Sequence, residues 1–454
     1  MLANQIPPAH QIRMISIYAT RWRLRNWSGD QSHLDLGRLE EFYGLFREQL
    51  PQVIYKEDIS ADALAFAAPG GPRSGNEQVM IKQAQSWLFV LPSNQVVAVI
   101  DFDYASGPLD TDPGPTAQIL EHCAYAQLLI AGADLETHIA ALAKLAGAEE
   151  IDVNQLLPPE RHQVVFAPYQ AHHSLPDEDT LKQILYRVDP PIRPEFMKLR
   201  RPSGLNEAGH TLAAVTPYVS LLYGHQAYIE NSVFLTAVQA VGTTARFRQI
   251  WHRAHGRVRT FRDTVQSPVV GSQRRGDMED LVDELGNLEL DLSFSVETSA
   301  DLGLLIPSLR IESFHRELYA AMELRERAET VSRMFSRLAA SVRSELTAAD
   351  IREREASEAA RLRRDAAFTV LGFIAAPFTF LLGFFSINVA QVNGHWSIFN
   401  WHHYLMAYIA ATVVALVPLV TFFVLNTRAL GRNRADKRLR EERIQAINSI
   451  TPVP

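Results

Sequence analysis

The chain has 454 residues, enough for two or three domains, so no single motif accounts for all of it. Hydrophobic residues make up 47%, charged residues 21%, and the formal net charge is -7, values of a folded protein that exclude a largely disordered chain and argue against a nucleic-acid partner. The single cysteine, Cys123, excludes an internal disulfide framework and a cysteine-based zinc site, and fits a helix-packing residue in a reducing cytosol.

Pro7, Pro8, Arg13 and Arg21 interrupt the first 25 residues, so no cleaved secretory leader is expected. From there to about residue 188, β-rich runs (12–18, 87–91, 96–102, 164–167) mix with helical patterns (36–50, 116–131, 135–145). The mixture predicts a cytosolic α/β domain over residues 1–190. Residues 189–204 hold Pro190, Pro191, Pro194 and Pro202 and read as a linker. A helical region over 205–305 follows. Its apolar run 212–241 is broken by Pro217, His225, Gln226, Glu230 and Asn231. Desolvating Glu230 in a bilayer would cost about 2.5 kcal/mol or more, so the run reads as a buried helix pair.

Pro307 precedes a stretch free of Pro and Gly, and 308–365 is predicted as one stalk helix roughly 85 Å long. Ile311, Phe314, Leu318, Ala321, Leu324, Ala328, Val331, Phe335, Leu338, Val342, Leu346 and Ala349 recur at threes and fours as one buried stripe. Such a helix packs on its own upstream helices or on copies of itself.

Residues 366–425 carry no Asp, Glu, Lys or Arg; the residues before them sum to -11 and the tail after them to +4. Two transmembrane helices are predicted, 366–389 and 404–425, each able to cross about 30 Å of hydrocarbon, joined by an external loop 390–403 and followed by a basic cytosolic tail 426–454. Arg361, Arg363 and Arg364 precede the first span, and Arg428, Arg432, Arg434 and Lys437 follow the second, while the loop has neither Lys nor Arg. That pattern predicts a multi-pass protein of the inner (plasma) membrane with both termini cytoplasmic, and Trp396, Trp401 and Tyr404 stand where interfacial aromatics belong. The first span is the less oily one, with Thr369, Gly372, Pro377, Thr379, Gly383, Ser386 and Asn388. Stepping back from Asn388 by threes and fours meets Phe384 or Phe385, Leu381, Pro377 or Phe378, and Ile374. This face either lines a hydrophobic pore with Asn388 as a polar ring at its outer mouth or is helix-packing surface.

The run Pro377-Phe378-Thr379-Phe380-Leu381-Leu382-Gly383-Phe384-Phe385-Ser386-Ile387-Asn388-Val389 resembles the end of the pore helix in the CorA family of divalent-cation channels. There Pro-x-Thr, then Gly, then an aromatic residue precede Gly-Met-Asn, and Pro377, Thr379, Gly383, Phe385 and Asn388 fall in register. The resemblance covers about 308–434, and residues 1–300 share only the general plan. It implies a homo-oligomer, a pentamer in that family, whose pore and filter would be lined by Asn388, Ser386, Ile387, Phe385, Phe384, Leu381, Pro377 and Ile374. It implies Mg²⁺ or another divalent cation as the transported or regulatory ion, with no other cofactor required. The filter triplet is Ser386-Ile387-Asn388 here. The Asn side-chain carbonyl can hydrogen-bond first-shell water, which suits Mg²⁺ because Mg²⁺ dehydrates reluctantly. Ser386 restricts the backbone where Gly is free, and Ile387 is stiffer than Met.

Asp101 and Asp103, with Asp110 and Asp112 nearby, are regulatory cation ligands if the family's cytosolic sensing carries over, and solvated turn residues otherwise. His252 and His255 stand one helical turn apart without a third ligand, and His172 and His173 read as loop residues. No nucleophile elbow, P-loop, dinucleotide fingerprint or His-Glu-x-x-His motif occurs, so an enzyme is not expected. Two functions remain: a divalent-cation channel or transporter gated by its cytosolic domain, or a signalling or phage-defence effector on the same membrane plan. The effector would alter membrane permeability when a cytosolic ligand or partner protein binds.

Overall fold

The computed structural model describes residues 10–25, 34–66, 80–110, 112–151, 160–169, 174–187, 199–266, 271–300, 308–387 and separate positions between 402 and 420. The chain divides into two units, Met1–Glu345 and Leu346–Pro454. The described strands are β1 (His10–Arg23), β2 (Gln52–Ile59), β3 (Leu64–Phe66), β4 (Ile81–Val90), β5 (Gln95–Ser106), β6 (Leu128–Ile130), β7 (Ala133–Asp134), β8 (Glu149–Glu150), β9 (Arg161–Ala167), β10 (Leu212–Val215) and β11 (Val219–Tyr223). The helices are α1 (Glu40–Leu45), α2 (Gly114–Ala124), α3 (Leu135–Leu145), α4 (Glu178–Tyr186), α5 (Ala227–Gln266), α6 (Gly271–Ala300), α7 (Leu309–Ala321) and α8 (Leu324–Ile387).

In the first unit, residues 14–22 of β1 are all buried, which a strand achieves only with partners on both edges and cover on both faces. The main sheet runs β10-β11-β9-β1-β5-β4-β2, with β8 pairing the end of β1, and every pairing is antiparallel except β11 with β9. A second sheet joins β3, β6 and β7. Strand side chains alternate between faces, so β1 serves two cores. Ile12, Met14, Tyr18 and Trp22 join Ile119, Leu120 and Cys123 of α2, Ile139 and Leu142 of α3, and Leu181, Ile184 and Leu185 of α4. Asp134 and Asp177 start α3 and α4 as caps, accepting from the backbone N–H of Thr137 at 2.6 Å and of Thr180 at 2.8 Å. Cys123 is fully buried and its thiol is pushed up to about 12 by that burial, so it packs and does not react.

The other face of β1 meets α5, and Phe234 of α5 stands edge-on to Phe89 at 5.3 Å between ring centres. Residues 231–247 of α5 are buried at every position, because α6 and α7 cover the sides that the sheet leaves open. The hydroxyls of Ser232, Thr236 and Thr244 donate to carbonyls four residues back, which satisfies them inside this apolar surround. At Gly242 a Cβ would stand 2.4 Å from Leu91 Cδ2 and 3.1 Å from Val97 Cγ2, so any larger residue would have to push the buried Leu91 side chain aside.

An α/β sheet region joined to long helices matches the expected class, and β1, β4, β5, β9 and α3 fall on their predicted runs. Several local expectations are corrected. Residues 205–263 are not helical throughout: 212–223 form the β10-β11 hairpin, with Pro217 in its turn, and the helix starts only at Ala227. Because β11 pairs with β9, strands from both sides of the expected boundary near residue 190 belong to one sheet. Residues 188–198 of the proline-rich segment lie outside the described residues. The helix expected over 116–131 stops at Ala124, where Ala126 turns left-handed at φ 53 and the chain enters β6. Residues 36–50 split into α1 and two short 3-10 turns.

The single stalk helix over 308–365 is also corrected. It is broken at Met322 and Glu323, with Glu323 left-handed at φ 55. Met322 N–H bonds back to Leu318 O, and Arg327 N–H to Glu323 O, so one helix closes and the next opens across that residue. The expected stripe is buried from Ile311 to Val342. In the second unit Leu346 and Ala349 are half-buried, and residues 351–365 are exposed on every side.

Candidate functional site

Two places hold the residues singled out by sequence. The first lies where β1, β5 and the start of α5 meet. Arg13 and Asp101 point to the same face from neighbouring strands, and the guanidinium grips the carboxylate with both ends: Nε donates to Oδ1 at 3.0 Å and Nη2 to Oδ2 at 2.7 Å. Arg13 Nη1 donates to Asn231 Oδ1 at 2.8 Å, and Asn231 Nδ2 donates to Asp35 O at 2.8 Å, which ties α5 to the sheet. Gln11 Nε2 donates to Asp103 Oδ2 at 2.7 Å.

Glu230 adds a third carboxyl. Burial raises it to about 7, with Asp101 and Asp103 pushing the same way against the pull of Arg13. Burial, and then Asp101, also push Asp103 up, against the hydrogen bond from Gln11. Burial opposes the charge on Arg13, but Asp101, Glu230 and Asp103 more than offset it, so Arg13 rises. Arg13 is shared among the three carboxyls, with Lys82 adding its charge at Asp103, and Glu230 is left able to gain or lose a proton near neutrality. Both Asp101 oxygens are engaged by Arg13, and among the described residues no group of three or more His, Cys, Asp or Glu is arranged to hold a metal ion. Sequence reasoning noticed Glu230 and Asn231 only as breaks in an apolar run and Arg13 only as an interruption of the N-terminal stretch, and assigned none of them to a site. A lone arginine inside the β-rich run 12–18 was the available signal.

The second place is the uncharged run. Residues 366–387 are helical within α8. Where their side chains are described they are exposed or half-buried, and Phe368 and Leu371 are 68% and 67% exposed. Thr369 and Thr379 donate their hydroxyls to Asp365 O at 2.7 Å and Ala375 O at 2.9 Å, so neither presents an unpaired donor outward. Leu405, Met406, Ile409, Val413, Leu416, Val417 and Val420, helical at each described position, are exposed as well. Among the described residues no helix is long and apolar enough to cross a membrane. The side chains of Ile374, Pro377, Leu381, Phe384, Phe385, Ser386 and Ile387 lie outside the described residues, as does Asn388 altogether, with residues 389–401 and 421–454.

The remaining candidates are not brought together. His252 and His255 are exposed on α5, where Trp251 stacks on His255 at 5.3 Å and meets His252 edge-on at 5.1 Å. Asp110 accepts from Ser174 Oγ at 3.3 Å. His172 and His173 lie outside the described residues. No family model matches the chain, and no curated protein matches it.

Proposed function

We propose that the protein is a CorA-like oligomeric membrane channel or transporter for divalent cations, Mg²⁺ or another, whose α/β unit controls the pore. The observation that carries the reading is the uncharged run 366–425, which contains the Pro377, Thr379, Gly383, Phe385 and Asn388 register, with Phe368 and Leu371 exposed. Exposed large apolar side chains in an uncharged run of this kind mark a face that lipid or other copies cover. Asn388 would present amide carbonyls to a hydrated cation, and Ile374, Pro377, Leu381, Phe384, Phe385, Ser386 and Ile387 would line the path behind it. One helical hairpin cannot enclose a pore, so the reading requires a homo-oligomer, with a pentamer as the family's number.

Reconstitution into liposomes with a Mg²⁺-sensitive dye tests it. The unmodified chain is expected to conduct, Asn388→Ala to abolish flux with assembly intact by mass photometry, and Ser386→Gly with Ile387→Met to increase it. A monomer or dimer at all concentrations, or flux insensitive to Asn388→Ala, sinks the pore reading. A second reading, an effector that opens only when its ligand or partner binds, draws on the Ser386-Ile387 departure and on an outer loop without acidic residues. It expects basal flux near zero in both the unmodified chain and the Ser386→Gly, Ile387→Met variant.

A further inference from the structure

Among the arginines of the first unit that form no ion pair with a described residue, two stand near one another. Arg161 opens β9, and Arg187 follows α4 in the left-handed conformation at φ 59. Arg200, Arg246 and Arg248 each pair with an acid, on Glu317, Asp291 and Glu160. Among the described residues neither Arg161 nor Arg187 does, and Arg187 Nη1 is buried with no hydrogen-bond partner. Burial holds the Arg187 guanidinium below the usual arginine value, and Arg161 pushes it the same way, against Tyr125, Glu121 and Tyr218.

Two exposed rings frame the pair. Tyr125, at the end of α2, is 62% exposed, and Arg161 Cζ stands 5.8 Å from its ring centre. Tyr218, just before β11, is 57% exposed, and its carbonyl accepts from Gln163 N–H at 2.9 Å, which holds it beside the strand that carries Arg161. Helix α4 packs on α2 and on β11, so the ends of four elements converge here. The C-terminal carbonyls of α2 and α4 offset part of the positive charge. They do not give the buried Nη1 an acceptor, and a desolvated cation beside a like charge costs stability unless something pairs it.

We propose that Arg161 and Arg187, rimmed by Tyr125 and Tyr218, form a binding site for a phosphate-bearing small molecule. Guanidinium groups match phosphate oxygens with paired N–H donors, and each bond is charge-assisted. The exposed rings give a planar group on the same ligand, such as a nucleotide base, a face to stack on. The site rests on the first unit alone and stands whether or not the apolar hairpin conducts ions.

The test is calorimetric titration of the full chain in detergent with inorganic phosphate and, separately, with ATP. Binding of at least one is expected, with Arg187→Gln weakening it about tenfold or more and Arg187→Lys less. If Tyr125→Ala weakens ATP alone, the ligand is a nucleotide; if it changes neither, the phosphate group alone is what the site holds. No binding of either probe to the unmodified chain, or an unchanged affinity in Arg187→Gln, overturns the site. Should Arg187→Gln not fold, the unmodified chain still answers: phosphate or ATP should slow phenylglyoxal modification of Arg161 and Arg187 but not of exposed Arg316. Equal rates with and without ligand refute the proposal.

Discussion

Two stretches of this chain look alike on paper and end in opposite surroundings. Residues 231–247 of α5 and residues 366–383 of α8 are both helical and rich in apolar and small side chains. The first is buried at every position among sheet, α6 and α7; the second is exposed or half-buried wherever its side chains are described. Hydroxyls close back onto their own helix in both, at Ser232, Thr236 and Thr244 as at Thr369 and Thr379, so the difference is in the longer polar side chains. In α5 the polar residues reach across: Asn231 holds Arg13, and Arg246 pairs with Asp291. Residues 366–383 of α8 contain no Asn, Gln, His or charged residue that could reach across in this way. A helix with long polar side chains that bond to other elements is tied into the protein interior, and one without them offers its neighbours apolar surface alone.

The largest effect that would break this contrast is a cut into the α5 core. Phe234→Ala is expected to cost about 3–5 kcal/mol, read as a lowered midpoint in chemical unfolding followed by tryptophan fluorescence. Leu371→Ala, its counterpart in the exposed run, should leave the same midpoint within about 0.5 kcal/mol. Loss of stability in Leu371→Ala equal to that in Phe234→Ala would erase the distinction. Next, Arg13→Met should cost about 3 kcal/mol, because it strands Asp101 in a mostly buried position and frees Asn231. The double variant with Asp101→Leu should recover part of that loss, and no recovery would mean that the pair is not what joins α5 to the sheet.

A smaller effect is a pH dependence. Glu230 titrates near 7 in the folded chain and at its ordinary, lower value when unfolded. Between those values the folded state holds a proton that the unfolded state has released, so this group's contribution falls as pH rises through that window, by about 1–3 kcal/mol. Glu230→Gln should remove that slope and leave the chain more stable above neutrality. A slope unchanged in Glu230→Gln assigns the titration elsewhere. The smallest effect belongs to the helix break. Glu323→Gly relieves a left-handed non-glycine residue and should stabilise the first unit by about 0.5–1 kcal/mol, whereas a destabilisation would show that the side chain's own contacts outweigh the backbone.

What sequence could reveal follows the same division between local and long-range causes. The strands β1, β4, β5 and β9 were legible because apolar and β-branched residues crowd into short runs, and α3 because its apolar spacing follows a single face behind the Asp134 cap. Strand β2 was missed because its outer half, Tyr55 to Asp58, is polar or half-exposed. The β10-β11 hairpin was missed because its apolar residues continue without contrast into α5, and periodicity does not separate a short buried strand from a buried helix. The break at Glu323 has no Gly or Pro to announce it. The carboxylates at 101 and 103 were visible, but their partner Arg13 lies 88 residues from Asp101, a separation that no spacing rule bridges.

The left-handed step at Glu323 also sets where counting begins. Each residue of an α-helix turns the chain by about 100°. One residue inserted within α7 would be absorbed at that step, and α8 would keep its angle. The same insertion between Leu324 and Val342 would swing every later side chain by more than a quarter turn against the stripe that is buried there. Which side chains join the buried stripe is therefore a matter of residue number from Glu323, and a homologue with a longer α7 but an unaltered count after the break would bury the same positions.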